Sequence, residues 1–420
     1  MSLKGFIFSF LWIVSLLTIG SVFSFSMFDE VLCIFVLLCA LQQGFWKSPY
    51  LIILTTYVFI HIAISIMYGY NGIKPILLDA LMYAKPYVCA FACGSGYFVL
   101  KKKDINVLNA VVYCLLCFLF AVSVWSWFAG ARDAAARPLF LYTANFSLAA
   151  TITLMLLFYF FLQQNCVLKG ITLKKCFLYI ALFTTIVITM QGKYFGFVFI
   201  FFVLNFFCGK MLTKLQSGNL KIRSLYKVIS VIGVILGVLG TLYVALDDIK
   251  TYYITDNENM ARAMMLRSLP QVLDGIYFFT GRGFGAFCSP ISKIYYPVAF
   301  MDEMGLSNVY GLSQSFPNFM ADGYLWSYAG CFGFIGICLF TLFMIYMFNP
   351  FIKLWKNKIL PAKLGFACLV CFSWTIIFSF GSGLMFGYGS FIMLLWGGAR
   401  YEAVCLLRTQ YENNTHNIHS

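Results

Sequence analysis

Apolar residues run along this chain in long blocks separated by short polar breaks, and one break is far longer than the others. The blocks fall at 5–27, 31–46, 50–69, 83–100, 105–128, 140–163, 176–190, 193–209, 228–246, 324–348, 364–381 and 386–399. Most approach or exceed the roughly 20 residues that carry a helix across a bilayer. The pattern predicts an all-α polytopic membrane protein of about twelve transmembrane helices, forming one integral membrane domain over residues 1–420. The stretch 176–209 reads either as a short helical pair turning at Gln191-Gly-Lys193 or as one long broken span. Polar sequence returns at length only in 247–323, a single large loop, and again in a tail over 400–420 whose last residues, 411–420, are expected to be disordered. Long connections without structure are uncommon unless they carry function, so the chemistry is expected in the large loop.

Within that loop the apolar period changes to that of a surface helix. Asp256 or Asn257 is a plausible N-cap, and a helix is expected from Asn259 to about Leu273 despite Pro270. At 100° per residue Met265, Leu269, Val272 and Ile276 share one face, Arg262 falls on its edge, and Arg267 projects roughly opposite. An amphipathic helix of this kind lies on or in a membrane interface. Thr280-Gly-Arg-Gly-Phe-Gly285 follows, then an aromatic segment to Asn318.

Composition excludes a soluble domain. Hydrophobic residues make up 62% and charged residues 10%, against about 25% charged in soluble proteins. Charge then orients the chain. On the twelve-span layout one side collects 19 of the 29 basic residues and only three of the 15 acidic ones, so that side is cytoplasmic, both termini lie there, and the large loop faces outward. The net charge of +14 is accounted for by topology and attraction to anionic lipid, without nucleic acid. Most of the 15 cysteines lie inside spans and act as small apolar residues, with Cys288 the exposed-loop exception.

Several residues stand out chemically, each with a plain alternative. Arg262, on an apolar face, either snorkels or pairs with Glu258, or its fork clamps a phosphate or pyrophosphate. Gly281, Gly283 and Gly285 bracket Arg282; they form either a tight turn or a nest of N–H groups for an anion. Lys193, Arg132 and Arg137 are outward cations, Asp133 neutralising one of them, and they read equally as solvated turn charges or anion contacts. Lys85, inside a span, is expected to face a cavity. His61 lies mid-span and no His, Cys or carboxylate group has metal-ligand spacing, so neither metal nor cofactor is expected. General-base candidates reduce to Asp274, Asp302, Glu303 and Asp322, each also readable as a solvated loop charge. Loop aromatics such as Tyr277, Tyr295, Tyr296 and Tyr310 suit sugar rings, or form an interfacial belt.

Taken together these residues resemble the O-antigen polymerase and O-antigen ligase superfamily of bacterial envelope proteins. Arg267 followed sixteen positions later by Gly283 is similar to the arginine-then-distant-glycine motif of the polymerases, and Arg262-Ala-Met-Met-Leu266 resembles an Arg-x-x-x-Leu element of the ligases. Leu269-Pro270 to Phe287 resembles the family's helix, turn and Gly-rich exit. Residues 318–333 resemble the segment that re-enters the membrane, Tyr142 to Ala149 resembles an earlier helix start, and Lys193 occupies the place of a usual arginine. Ligases carry a histidine ahead of a Gly-x-x-Gly; Gly330 and Gly333 fit that frame, but Phe319 and Met320 stand at the histidine position and the one after it. The departure favours the polymerase.

The resemblance implies a GT-C-like fold with a periplasmic loop, in the bacterial inner membrane. It implies a metal-independent glycosyltransferase with no cofactor, which joins undecaprenyl-pyrophosphate-linked oligosaccharide repeat units at the periplasmic face, with a chain-length regulator as a further partner. Arg262 and Arg267 would stabilise the leaving pyrophosphate; Asp302, Glu303 or Asp322 would orient the acceptor hydroxyl; Lys193, Arg132, Arg137, Arg282, Gly283 and Lys85 would bind substrate. Two alternatives stay open: an O-antigen ligase acting on lipid A-core, and a lipid-linked oligosaccharide flippase or other transporter. The latter expects charges deep in many spans.

Overall fold

The computed structural model describes residues 2–18, 28–128, 203–204, 250, 260–320, 323–381 and 384–419. Among them the chain is helical, with one isolated bridge between Ser313 and Phe316 and no strand. The long helices are α1 (Leu3–Thr18), α2 (Phe28–Gln42), α3 (Pro49–Tyr68), α4 (Ile73–Gly94) and α5 (Lys102–Phe128). In the large loop lie α6 (Ala261–Val272) and the short α7 (Tyr277–Thr280), α8 (Pro290–Ile294) and α9 (Val298–Glu303). The chain closes with α10 (Tyr324–Lys356), α11 (Ala362–Gly381) and α12 (Leu384–His419).

Helices α3, α4 and α10, and the segment Gly389–Asn413 of α12, are long and apolar enough to cross a membrane. This is an all-α membrane protein. The expected spans at 140–163, 176–190, 193–209 and 228–246 lie outside the described residues apart from the helical pair 203–204, as does the question of how 176–209 is divided.

Helix α4 is the centre of the described bundle, with α2, α3 and α12 packed around it. It meets α12 at small residues: a Cβ on Gly397 would come within 2.9 Å of the Ala90 carbonyl oxygen. Such close backbone approach is how apolar helices associate where lipid supplies no hydrophobic driving force. Helix α3, by contrast, leaves Ile52, Ile53, Phe59, Ile60 and Met67 exposed, side chains that hydrocarbon solvates without cost.

Three expectations change here. The fourth span was placed at 83–100, whereas α4 runs from Ile73 to Gly94. Lys74 and Asp79 lower the hydropathy of its first half, yet Asp79 is buried and accepts from the Gly285 amide, while Ile73, Leu77 and Leu81 stay exposed along one face of the helix. The tail is helical to His419 rather than disordered, continuing α12 and tied to the bundle by Asn357 Nδ2 donating to Gln410 Oε1 at 3.1 Å. Cys288 is buried rather than exposed. Burial pushes its thiol pKa well above the usual cysteine range.

Candidate functional site

The helix expected from Asn259 to Leu273 is present as α6, starting at Met260 as N-cap; Asp256, Asn257 and Glu258 lie outside the described residues. Pro270 sits so near its C-terminus that the helix ends two residues later. Ala261, Ala263, Met265, Ser268 and Val272 are buried, and α6 packs against α10. Ile276, assigned to the same face, lies beyond the helix end and is exposed. Arg262 is half-buried and Arg267 is exposed.

Beyond α7 the Gly-rich turn leaves the surface. Every residue from 281 to 289 is buried, because the turn docks into a break in α10. At Gly333 the backbone is non-helical (φ 60°, ψ −156°), which frees carbonyls of the preceding turn. The turn answers them. Arg282 N–H donates to the Gly330 carbonyl at 2.8 Å and Gly283 N–H to the Cys331 carbonyl at 3.0 Å. His61, mid-way along α3, donates Nε2–H to the same Cys331 carbonyl at 2.8 Å. The next amides go to side chains: Phe284 N–H to Ser65 Oγ at 2.8 Å, and Gly285 N–H to Asp79 Oδ2 at 2.7 Å. Irregular backbone at this depth survives only when its polar groups are satisfied within the protein.

The nest of N–H groups around Gly283 therefore exists, but its acceptors are the protein's own. The anion it meets is the buried carboxylate of Asp79. Glycine is required for contact: a Cβ on Gly283 (φ +87°) would lie 2.6 Å from Ser65 Oγ. No room remains for a ligand oxygen at that amide, so Gly283 serves docking rather than substrate binding.

Arg282 has a similar fate. It is 5% exposed, and its guanidinium is spent on the fold. Nε donates to the Val272 carbonyl at 2.9 Å and Nη2 to the Gln271 carbonyl at 3.2 Å, capping the carbonyl end of α6, where a cation is favoured. Nη1 reaches Tyr70 Oη at 2.5 Å and Glu303 Oε1 at 3.0 Å, and the guanidinium carbon lies 3.6 Å from the Tyr277 ring centroid. Burial and the Tyr277 hydrogen bond push the Tyr70 hydroxyl up to about 12, against the pull of Arg282. Glu303 is thus half of an ion pair, while Asp302 beside it is exposed.

Lys85 does not face a cavity. It is buried against Asp29 and Glu30 of α2, with Nζ 2.7 Å from Glu30 Oε1 and in contact with Asp29 Oδ2. A cation within a span finds carboxylates because hydrocarbon offers it nothing else. Lys193, Arg132, Arg137 and Asp322 lie outside the described residues.

A cavity of about 210 Å³ lies between α3, α4 and α10, lined by residues such as Tyr57, Tyr83, Tyr87, Phe284, Tyr328 and Phe332. Two other lining residues, Ile53 and Leu342, are more than half exposed, so its mouth reaches the apolar outer surface of the bundle. The size and apolar walls suit a hydrocarbon chain.

No protein-family model matches this chain, and no curated protein matches it. Its chemistry must therefore be argued from the residues alone. Among the described residues no group of three or more His, Cys, Asp and Glu side chains is arranged to hold a metal ion. What the loop end offers is cationic and carboxylate chemistry: Arg262 and Arg267 on α6, and Asp302 on α9. Sequence reading missed Asp79, the anchoring role of His61, and the Asp29–Glu30 pair. The span expected at 83–100 leaves Asp79 outside it, and no local spacing marks its partner, the Gly285 amide 206 residues away.

Proposed function

We propose that this chain is a membrane-embedded polysaccharide polymerase. It joins undecaprenyl-pyrophosphate-linked repeat units at the periplasmic face of a bacterial inner membrane, with both termini cytoplasmic. One observation carries the reading. Arg262 and Arg267 stand on a helix packed against α10, and that same α10 lines, from Tyr328 to Tyr346, an apolar cavity whose rim residues Ile53 and Leu342 are exposed on the apolar surface of the bundle. A lipid-linked donor needs both: hydrocarbon accommodation within the membrane and cations beside its pyrophosphate.

In the proposed reaction the acceptor hydroxyl oxygen attacks the anomeric carbon of the donor glycan. The carbon–oxygen bond to pyrophosphate breaks, and its electron pair leaves with the pyrophosphate. Arg262 and Arg267 stabilise that charge, and the hydroxyl proton passes to a carboxylate. Glu303 is engaged by Arg282, which leaves Asp302 and Asp322 for the last role. Arg282, Gly283 and Lys85 hold the scaffold.

Arg267→Ala tests the reading in cells. Removing a preorganised charge donor of this kind lowers turnover by roughly 10²–10³-fold, so long-chain polymer is lost while protein level and single-repeat products persist. Normal polymer ladders from that variant would remove Arg267 from the site. Deleting the chain separates the two enzymes: a polymerase deletion leaves single repeat units on the lipid core, whereas a ligase deletion leaves none.

A further inference from the structure

The segment between α9 and α10 holds aromatic rings that the bundle does not use. Tyr310 is 58% exposed and Phe319 is 37% exposed. The Tyr310 and Phe316 rings lie nearly parallel with centroids 4.9 Å apart, and Phe319 closes the group at 6.0 Å from Tyr310 and 6.2 Å from Phe316. Their positions are set by backbone. Gly311 (φ +85°) lies against the Phe319 ring, Phe319 N–H donates to the Gly311 carbonyl at 2.9 Å, and Tyr296 Oη donates to the Leu312 carbonyl at 2.8 Å. Ser313 pairs with Phe316 across the turn.

The same segment exposes the side chains of Asn308, Gln314, Ser315 and Asn318. The sequence has neither Lys nor Arg between Lys293 and Lys353, so this segment offers no cation to a phosphate. Rings flanked by neutral amides suit an uncharged ligand with apolar faces and hydroxyl edges. The axial C–H groups of a sugar ring sit on the negative face of an aromatic ring, and amides donate to and accept from neighbouring hydroxyls.

We propose that Tyr310, Phe316 and Phe319, with Asn308, Gln314 and Asn318 of the same segment, form a binding platform for a neutral saccharide, taken up as part of the glycan the enzyme extends. The assignment rests on the reading that the large loop handles a glycan. Phe319 then has a positive role at the position where the ligases carry histidine: it holds sugar instead of moving a proton.

The test uses the full chain in lipid nanodiscs and, as probe, lipid-free polysaccharide released by mild acid from cells that carry the chain. Saturable binding is expected by calorimetric titration, weakened at least roughly tenfold by Tyr310→Ala and retained by Tyr310→Phe, which keeps the ring. Tyr310 is exposed enough that its loss leaves the fold intact; an unchanged unfolding temperature checks this. Equal binding by wild type and Tyr310→Ala, or no binding by either, overturns the platform. So does quenching of the fluorescence added by Tyr310→Trp in nanodiscs made with brominated lipid, which would place the rings in the bilayer. Failure of the polymerase reading is seen separately, as a strain deleted for the chain that still makes full polymer. Saccharide binding that survives that result keeps the platform and discards the reaction.

Discussion

Gly281 offers the sharpest test of how the loop is held. Its backbone (φ 66°, ψ −172°) lies in a region open essentially to glycine, and a Cβ there would stand 2.3 Å from the carbonyl carbon and oxygen of Cys331. Two costs combine in Gly281→Ala. Backbone strain is about 1–3 kcal/mol. The steric conflict is with backbone, so the turn must move off α10. It then loses the Arg282 and Gly283 hydrogen bonds to the freed carbonyls, each about 1 kcal/mol net and more if the carbonyls stay buried and unmet. A total of about 4 kcal/mol corresponds to nearly a thousandfold rise in the undocked fraction. Cys288 reports it, because its thiol is buried only while the turn is docked. Alkylation at Cys288, read by mass spectrometry of the labelled peptide, should accelerate by two to three orders of magnitude. Gly275 supplies the control. It has a similar φ of +60° with nothing within 4 Å of a Cβ, so Gly275→Ala carries strain alone. Equal labelling of Cys288 in the two variants would refute the claim that contact with α10 requires the glycine.

Three further outcomes follow from the same contacts. Arg282→Lys loses the fork that reaches two α6 carbonyls, Tyr70 and Glu303 together, and should lower stability by about 2–4 kcal/mol. Glu303→Gln should cost under about 1 kcal/mol because Glu303 is 46% exposed; the order is read by thermal unfolding, and the reverse order would contradict the structural role of Arg282. His61→Phe removes one of two donors to the Cys331 carbonyl and should cost about 1–3 kcal/mol, whereas His61→Gln, which keeps a donor, should recover part of it. Lys85→Met leaves the buried Asp29 and the half-buried Glu30 without their cation, for a loss of about 3–5 kcal/mol, and adding Asp29→Asn and Glu30→Gln should restore most of it. A single variant as stable as wild type would show that the cluster is not the buried ion group described.

Much of this arrangement was legible in residue order, and the reasons differ by element. Helix α6 was readable because its buried face is spelled out locally, in Met265, Leu269 and Val272. The docking of residues 281–289 was not. Alternating glycines specify a backbone able to approach something closely, but they do not say whether that is a ligand or a helix. The answer lay 48 residues downstream of Gly285, at Gly333, whose break creates the carbonyls the turn satisfies. Helix α4 misled for the opposite reason: hydropathy counts Lys74 and Asp79 against the span, and no such scale sees that the fold supplies partners, the Gly285 amide for Asp79 and Asp29 with Glu30 for Lys85. That Arg262 and Arg267 lie on one helix was visible from sequence alone, since nothing had to be folded to see two arginines on one amphipathic stretch.

The break at Gly333 explains what fixes the loop at the end of the membrane bundle. An amphipathic segment resting on lipid would slide, because apolar contacts with hydrocarbon have no preferred register. Hydrogen bonds between the turn and α10, with Ser65, Asp79 and His61 joining from α3 and α4, do have a register. They are made where water is scarce, so undocking leaves several buried polar groups unmet at once. Arg282 then ties the turn to the end of α6, which transmits that fixed position to the helix bearing Arg262 and Arg267. Charge stabilisation of a leaving group depends on donors that need not reorganise as charge develops. On the proposed function, the residues that touch no substrate therefore matter to the rate: a variant such as His61→Phe should lower turnover more than it lowers donor affinity, because the arginines remain present but are held less firmly. Loss of affinity alone, with turnover unchanged, would show that the docked turn stabilises the fold without positioning the site.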